Sequence, residues 1–569
     1  MPFESITRRS ALVGAAGLTV AACSGAEEQL APLTAREGPF KHGVASGDPG
    51  QTSVMLWTAL TLPGMNQVEM SLEIWEDGDR EANVFQGSQV LPLRPGEIAT
   101  PMKFLIDSLQ PGRWYRYQFR VGDFTSPEGR TRTLPLTGTD PFTIAAFSCS
   151  NHPAGFFNAY RDAADRGDVD LVLHLGDYIY EYAVGGYASE DAERLSRVPE
   201  PPTEVVTEDD YQRRHSQYAL DPDIQALKAA APWIPIWDDH ETANNAFATG
   251  AENHDPDEGE GDWITRRDAG LKAFYEWLPV RDRADRTERY GALRIGDLAT
   301  LIFIETRLSA RSPELEWSSF PVPAGADPDD PEVQAAIRQW RDEQVGDPVR
   351  ELMGEDQYQL VTNALRQSVA AGHPWRIFAN QVLMGRATAP DYTRVTPFWL
   401  RWGMQLSGGE VWDFAQRTRH NVPMTLDTWD GFPVQREALF QAAREANADF
   451  ITLTGDSHNF WTIDLATDDG ERVGVEFGVT SVTSPSDFEF VNAPGVDFGA
   501  YTVEANDHIL HHNVYDKGYV MLRLTAEAAR ADFIKVSTIK SREFVSSLES
   551  SWRVEPANGG PVPPVERIS

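Results

Sequence analysis

The sequence is poor in cysteine, in positive charge and in long apolar runs. Only two cysteines occur among 569 residues, Cys23 and Cys149, so the chain cannot be a scaffold stabilised by several disulfides. Lysine and arginine number 50 against 86 aspartates and glutamates, which gives a formal net charge of −36. A charge of this sign repels the phosphates of nucleic acids and the surfaces of anionic membranes. Neither is therefore expected as a general partner.

Residues 1–37 are predicted to be an export signal with a lipobox and a short linker. The string TRRSAL at residues 7–12 opens an apolar run that ends at residue 22, too short to span a bilayer and typical of a twin-arginine signal. The string VAAC that follows is similar to a bacterial lipobox, so a lipid anchor is expected at Cys23. The alternative is a plain cleaved signal in which Cys23 is incidental. Either way, the twin-arginine machinery is the predicted export route, to the periplasm or the cell surface.

The rest of the chain predicts two domains, and 41% hydrophobic residues suffice for two cores. Residues 38–135 alternate short apolar runs with Gly, Pro and Asp turns, which is typical of a fibronectin- or immunoglobulin-like β-sandwich. Residues 140–545 change to apolar strands that end in polar residues and lead into helices, as in an α/β fold. Within them, Thr207 caps a predicted helix that runs towards Ala219. Residues 546–569 are predicted to be a C-terminal tail.

Four apolar strands of the second domain are predicted to converge on one site. They cover residues 142–147, 171–175, 233–237 and 450–453, and polar side chains follow the carboxyl end of each. Ligands of open α/β sheets bind outside the carboxyl ends of the strands, so these side chains are expected to meet.

The strings after two of these strands contain side chains that bind metals. Asp177 and Tyr180 lie in GDYIY, and their oxygens suit hard cations such as ferric iron or calcium. A Gly-Asp pair after a strand is also typical of an ordinary turn. Asp239 and His240 lie in WDDHE, where burying several charges against an apolar strand is costly unless a cation compensates them.

A third string, TGDSH, follows the last of the four strands. Asp456 and His458 are two residues apart in it, so they point to the same side and can bind neighbouring metals. Other histidines carry less weight. His174 is expected to be a core residue, and the group His508, His511 and His512 is expected to be structural or to line the cleft, because its spacing matches no closed zinc site.

Strand-end clusters of this kind resemble the metallophosphoesterase (calcineurin-like) superfamily, whose signatures are Asp-x-His, Gly-Asp, Gly-Asn-His-Asp/Glu and Gly-His-x-His. This chain departs from them with CSN at residues 149–151, DDHE at 238–241 and GDSH at 455–458. These departures, with GVASGDP at 43–49 and VMLWT at 54–58, are similar to the PhoD-type alkaline phosphatases and phosphodiesterases.

The resemblance implies a β-sandwich followed by a two-sheet α/β metallophosphoesterase domain with Fe3+ and Ca2+ in its site. The implied iron ligands are Cys149, Asp177, Tyr180 and His458. Asp177 would bridge to calcium, which Asp239 and Asp456 would complete, with Asn151 and Gln381 as weaker candidates for the same shell.

The implied activity is that of an alkaline phosphatase, which hydrolyses small phosphate esters by in-line attack of a metal-bound hydroxide. His240 would donate to a phosphoryl oxygen or protonate the leaving group. Arg307 would hold substrate, although a surface ion pair is an equally good interpretation. In so acidic a chain, bound cations are the expected source of positive charge for a phosphate ester.

Two other functions remain open. One is a phosphodiesterase or phospholipase D-like activity in the same fold, and the other is a non-catalytic, surface-binding lipoprotein. The second is disfavoured, because all seven main site residues have acidic, thiol, phenol or imidazole groups suited to their roles.

Overall fold

The computed structural model describes residues 38–94, 96, 98–138, 141–323, 325–491 and 493–569. The predicted signal, lipobox and linker at residues 1–37 lie outside the described residues. Within the described part of the chain, no helix combines the length and the apolar character needed to cross a membrane.

The strands and the α-helices of the described residues are numbered as two separate series, each in chain order. The strands are β1 (Val44–Gly47), β2 (Val54–Leu60), β3 (Gln67–Glu76), β4 (Asp79–Pro92), β5 (Thr100–Ile106), β6 (Trp114–Val121), β7 (Phe124–Thr125), β8 (Gly129–Arg132), β9 (Phe142–Phe147), β10 (Leu171–His174), β11 (Trp233–Pro235), β12 (Gly291–Ile295), β13 (Ala299–Phe303), β14 (Trp375–Asn380), β15 (Phe450–Thr454), β16 (Phe460–Ala466), β17 (Arg472–Gly478), β18 (Ile509–Asn513), β19 (Lys517–Leu524), β20 (Ala529–Val536), β21 (Ser546–Val554) and β22 (Glu566–Arg567). The α-helices are α1 (Asn158–Arg166), α2 (Ala192–Leu195), α3 (Glu208–Ala219), α4 (Pro222–Ala230), α5 (Trp263–Trp277), α6 (Pro331–Trp340), α7 (Glu355–Ala370), α8 (Tyr392–Val395), α9 (Phe398–Ser407), α10 (Gly409–Arg417), α11 (Pro433–Glu445), α12 (Asp487–Phe490) and α13 (Phe498–Ala505).

Two large sheets face each other and form the predicted two-sheet α/β sandwich. One has the strand order β22-β21-β20-β19-β9-β10-β11-β1-β2-β5, and the other has the order β12-β13-β14-β15-β17-β16-β18. Side chains of both inner faces share one core, for example Ile144 and Leu173 from the first sheet with Ile377 and Ile451 from the second. The central strands β9, β10 and β11 are parallel and fully buried, which explains their uninterrupted apolar sequences.

The predicted N-terminal β-sandwich is also present, but it is not separate from the second domain. Its outer sheet has the order β4-β3-β6-β7, with β8 beside β6, and packs over β1, β2 and β5. Strand β1 pairs with β11 in parallel, with Gly47 opposite Trp233. A β-carbon at Gly47 would lie 2.6 Å from the Trp233 carbonyl oxygen, so this junction requires glycine. The sandwich therefore continues directly into the sheet that carries the site.

The prediction of a C-terminal tail at residues 546–569 is wrong. Strand β21 pairs with β20 from Ser546 to Val554, and β22 pairs with β21 in turn. Trp552 and Val554 are buried in the core between the two large sheets. The sequence of β21, SSLESSWRV, alternates only weakly between polar and apolar residues. A strand near the edge of a sheet is partly exposed and needs few apolar side chains, so its sequence gives a weak strand signal.

A chain that ends at residue 545 is expected to be markedly less stable than the full chain. It would lose the buried Trp552 and Val554 and leave the hydrogen-bonding edge of β20 unpaired. Burial of each apolar side chain contributes roughly 1.5–3 kcal/mol, so the free energy of unfolding should fall by roughly 3–6 kcal/mol. Urea unfolding measures this. A chain ending at residue 557 keeps β21 and is the control; equal stability of both truncated chains would contradict the account.

Lys228 on α4 is a buried cation between the two domains. Its Nζ donates to the Tyr178 hydroxyl oxygen at 3.0 Å and lies 5.4 Å from the ring centre of Trp57. Burial lowers the pKa of Lys228 from an ordinary 10.5 to about 7. Between these values the unfolded chain binds more protons than the folded chain, so this group makes stability increase as pH rises from about 7 to 10.5.

Lys228→Met is therefore expected to stabilise the protein at pH 7, by roughly 2–4 kcal/mol, and to have little effect at pH 10. Urea unfolding at both pH values measures the difference. Lys272→Met, at a part-exposed lysine paired with Glu208, is the control and should leave the pH dependence unchanged. A Lys228→Met variant with the pH dependence of the parent chain would contradict this account.

Candidate metal centre

The predicted site residues lie at the carboxyl ends of β9, β10, β11 and β15, as the sequence indicates. Cys149 follows β9, Asp177 follows β10, Asp239 follows β11 and Asp456 follows β15. The loops are tied together by short hydrogen bonds, such as that from the Cys149 amide to the Gly176 carbonyl at 3.1 Å. Strand ends from both large sheets therefore converge on one place.

The backbone at this place is strained. Cys149, Asp177, Asp456 and His458 have φ angles of 59°, 56°, 60° and 57°, in the left-handed region that costs a non-glycine residue roughly 1–2 kcal/mol. Such conformations persist only where the surroundings enforce them, and they concentrate at functional sites. Gly176, with φ of 112°, packs so closely that an added β-carbon would lie 2.3 Å from that of Asp238.

The four predicted iron ligands lie together. Ligand atoms of Cys149, Asp177 and His458 are within 4.8 Å of one another. The Tyr180 hydroxyl lies 3.1 Å from Asp177 Oδ2 and 3.3 Å from His458 Nε2. The Cys149 thiol lies 3.4 Å from the same Asp177 oxygen. A thiol, a carboxylate, a phenol and an imidazole thus surround one point.

Neighbouring groups orient these side chains. His458 Nδ1 lies 2.7 Å from the Pro485 carbonyl, so Nδ1 carries the proton and Nε2 presents its lone pair towards Tyr180. Burial lowers the pKa of His458 to about 3, which keeps the ring neutral and able to ligate. The Ser484 hydroxyl donates to the Tyr180 oxygen at 2.7 Å and fixes its position.

A second group consists of four carboxylates: Asp177, Asp238, Asp239 and Asp456 place oxygens within 4.8 Å of one another. Asp238 is not among the predicted ligands, although it lies in the WDDHE string next to the predicted ligand Asp239. Asp238 Oδ2 and Asp239 Oδ1 are buried and have no hydrogen-bond partner. Buried carboxylate oxygens without donors, close to one another, fit a hard cation such as calcium.

The electrostatics also indicate a cation. Desolvation and neighbouring carboxylates raise the pKa of Asp177 and of Asp456, and burial with the charge of Asp177 raises the pKa of the Cys149 thiol. Burial raises the pKa of Asp238 to about 6. These anions destabilise one another unless a multivalent cation neutralises them, so the donor set fits a bound metal.

His240 lies at the edge of the carboxylate group. Its Nδ1 lies 2.8 Å from Glu181 Oε2, and its ring packs on Tyr180 at 4.1 Å between ring centres. Burial lowers the pKa of His240, but the charges of Asp239 and Glu181 outweigh this and raise it well above the ordinary value. The neighbouring carboxylates thus favour the protonated ring, and Nδ1 donates to Glu181.

Arg307 is buried beside the carboxylate group. Its side chain has no exposed surface, and it forms ion pairs with Asp238 and, at 2.8 Å, with Asp427. Its Nη2 lies 3.5 Å from Asp456 Oδ1. These ion pairs are buried, which corrects the interpretation as a surface pair. Contact of Arg307 with substrate stays a prediction, and its buried Nη2 has no hydrogen-bond partner. The guanidinium offsets part of the charge of the carboxylates.

The two weaker candidate metal ligands, Gln381 and Asn151, differ in their hydrogen bonds. Both ends of the Gln381 amide make structural hydrogen bonds, the oxygen with the Thr306 hydroxyl at 2.8 Å and the nitrogen with the Ile304 carbonyl at 2.7 Å. These bonds hold the amide in its loop, and its oxygen keeps a second lone pair, so the ligand role of Gln381 stays a prediction. Asn151 donates to the Tyr187 carbonyl, whereas its buried Oδ1 has no partner and remains available as a ligand atom.

Glu241 is an important residue that the sequence did not reveal. Its buried carboxylate accepts hydrogen bonds from the backbone amides of Asp177, Tyr178 and Asp238, at 3.0, 2.6 and 2.8 Å. It thereby joins the loop after β10 to the loop after β11. The only signal in the sequence is an acidic residue that follows three charged neighbours after an apolar strand.

The other histidines are structural, as expected. His174 is buried and hydrogen-bonds to the Tyr160 hydroxyl at 2.7 Å. His511 pairs with Glu549 at 3.1 Å, and the ring of His512 stacks on Trp461. His508 lies 2.8 Å from the Arg386 carbonyl.

Two facing sheets with candidate metal ligands at their strand ends are the arrangement expected of a phosphoric ester hydrolase of the metallophosphoesterase type. The family model for PhoD-like phosphatase matches residues 144–533, and that for its N-terminal domain matches residues 25–135. The chain therefore belongs to the PhoD-like phosphatase family.

Similar proteins agree with this family. Alkaline phosphatase D of Bacillus subtilis (strain 168) is 31% identical over 552 residues, which cover 91% of this chain and 81% of that protein. A solved structure of PhoD is 27% identical, covers 94% of this chain and 93% of its own, and superposes with a TM-score of 0.73.

Proposed function

We propose that this chain is an exported, metal-dependent phosphatase that hydrolyses small phosphate esters. One observation supports the metal dependence: Asp177 belongs both to the group with Cys149 and His458 and to the group of four carboxylates, so its carboxylate would be shared between two metal sites. The family supports the reaction class.

The residues divide by their chemistry into two sets. Cys149, Asp177, Tyr180 and His458 would hold Fe3+, because thiolate, phenolate and imidazole suit a transition metal. Asp239, Asp456 and the shared Asp177 would hold Ca2+, with Asp238 beside them. When bound, the cations lower the pKa of water for attack on phosphorus and neutralise charge on the phosphoryl oxygens.

The protein supplies the proton for the departing oxygen. Glu181 engages Nδ1 of His240, so Nε2 is the ring nitrogen left to donate to the phosphoryl or leaving-group oxygen. Tyr180 and Tyr182 pack against the ring and hold it in place. Glu181 also accepts from the amide of Asn244 at 2.8 Å, which fixes the carboxylate itself.

The proposed location rests on residues 7–23, outside the described residues. Their twin-arginine string and lipobox support export in the folded state and an anchor at Cys23. Metal could then be bound before export.

The metal content of the purified protein tests this proposal. We expect about one iron atom per chain together with calcium, and a visible absorption band from the thiolate and the phenolate on ferric iron. Cys149→Ser should shift or weaken that band, while the phenolate of Tyr180 retains part of it. Cys23→Ser changes the other cysteine and is the matched control, which should leave the band unchanged. A colourless wild-type protein without iron would overturn the iron assignment.

A further inference from the structure

Helix α9 has an apolar face that is turned away from the protein. Leu400 and Met404 are its buried side chains, and they pack into a small core with residues of α8, α10 and α13. On the opposite side, one helical turn apart, are Phe398, Trp402 and Leu406, which are 77%, 65% and 66% exposed. We call these three residues the α9 stripe. A surface helix normally presents polar residues on this side, whereas α9 has apolar residues on both sides.

Exposed aromatic side chains are concentrated around this helix. Of the large hydrophobic residues exposed in the described part of the chain, the aromatic ones are Phe398, Trp399, Trp402, Phe490 and Tyr515. Phe490 belongs to α12, which is joined to the same small core by the contact of Phe488 with Phe498 at 5.1 Å between ring centres. Exposed apolar surface of this kind marks an interaction site.

The chemistry of the stripe favours a lipid surface. Residues 392–409 contain two arginines and no acidic residue, in a chain with a net charge of −36. Although Asp391 and Glu410 flank this segment, repulsion from lipid phosphates is therefore reduced along α9 itself. Tryptophan and phenylalanine, with arginine at the polar edge, are typical of helices that lie in a membrane interface. High exposure of all three side chains means that the stripe protrudes, as insertion between headgroups requires.

We propose that the α9 stripe inserts into the interface of a zwitterionic phospholipid bilayer, with α9 lying parallel to the surface. This contact adds a second attachment to the anchor proposed at Cys23, and a lipid anchor together with an interfacial helix binds a membrane more stably than either alone. The ring centre of Phe490, on α12, lies 6.0 Å from that of Tyr187. The hydroxyl of Tyr187 is in turn 3.2 Å from His458 Nδ1. Through Phe488 and Phe490 of α12, the small core under α9 is thus linked to residues of the candidate metal centre.

A fluorophore that responds to polarity tests the insertion in the full chain carrying Cys23→Ser, where buried Cys149 is protected from labelling. The label is attached through Trp402→Cys or, as the control, through Val349→Cys, a site outside α9 that is 79% exposed. With phosphatidylcholine vesicles, emission from position 402 should shift to the blue and that from position 349 should not. An unchanged emission at position 402 would overturn the proposal.

A second variant shows whether the stripe drives the binding. In the chain labelled through Leu406→Cys, Phe398→Asp should raise the vesicle concentration needed for half of the shift by at least about tenfold. Hydrolysis of a soluble ester should be unchanged, which shows that the fold is intact. Light scattering of the unlabelled chain should report a monomer. A dimer that Phe398→Asp separates would instead identify the stripe as an interface between copies and refute the membrane assignment.

Discussion

Asp177→Asn is expected to reduce phosphate ester hydrolysis by roughly a thousandfold or more, the largest effect of any single substitution in the site. Its carboxylate contacts both the Cys149 thiol and the Tyr180 hydroxyl, and it belongs to each group of candidate ligands. A bound metal contributes several kcal/mol to transition-state stabilisation, and each 1.36 kcal/mol lost is about tenfold in rate. Steady-state kinetics with a chromogenic phosphate monoester measures the loss.

Asp170→Asn is the matched control for this variant. Asp170 precedes β10, the strand that Asp177 follows, and forms an ion pair with Arg132 away from the metal centre. The Asp170→Asn control should have a lower free energy of unfolding but an unchanged turnover number. Near-normal turnover by Asp177→Asn would show that the centre does not depend on the shared carboxylate.

Glu241→Ala is expected to destabilise the protein and to empty the metal centre. The substitution leaves three buried backbone amides without an acceptor, and each orphaned group costs about 1–3 kcal/mol. The loops that carry Asp177 and Asp238 would then separate. We expect the free energy of unfolding to fall by roughly 3–9 kcal/mol, and the bound iron to be lost. Urea unfolding and metal analysis measure the two effects.

Glu476→Ala distinguishes this effect on the site from general destabilisation. Glu476 is equally buried and accepts from the amides of Met384 and Gly385, at 2.8 and 2.6 Å, but it is not one of the candidate ligands. The control should lose stability and keep its iron. If both variants kept their iron, Glu241 would have no specific role in positioning the ligands.

Much of the fold follows from local sequence. The strand predicted at residues 142–147 is β9, and the helix predicted from the Thr207 cap is α3, Glu208–Ala219, because a capping box and an apolar parallel strand are both local signals. Strand β21 was not predicted, because it is stabilised mostly by pairing with β20 and its own sequence has only a weak strand pattern. The continuation of the β-sandwich into the α/β sheet depends on the pairing of β1 with β11, which no local pattern specifies.

The candidate site was predictable to the extent that its residues follow strands. Asp177 and Asp239 could be placed together, because the carboxyl ends of the parallel strands β10 and β11 share one edge, and Asp456 joins them from β15 of the facing sheet. The burial of Arg307 and the role of Glu241 could not, because both depend on contacts between loops far apart in sequence. The contact of His458 with the Pro485 carbonyl could not be predicted either, because every residue has a backbone carbonyl and the sequence does not indicate which one will accept the hydrogen bond.

Calcium-dependent hydrolysis tests the central claim most directly. Release of product from a chromogenic phosphate monoester and from the matching diester would be followed at alkaline pH, before and after chelation and after calcium is restored. The account predicts turnover of the monoester that chelation abolishes and calcium restores. A preference for the diester would change the substrate class within the same centre. Undiminished turnover after complete removal of metal, or none by metal-replete protein, would contradict the account.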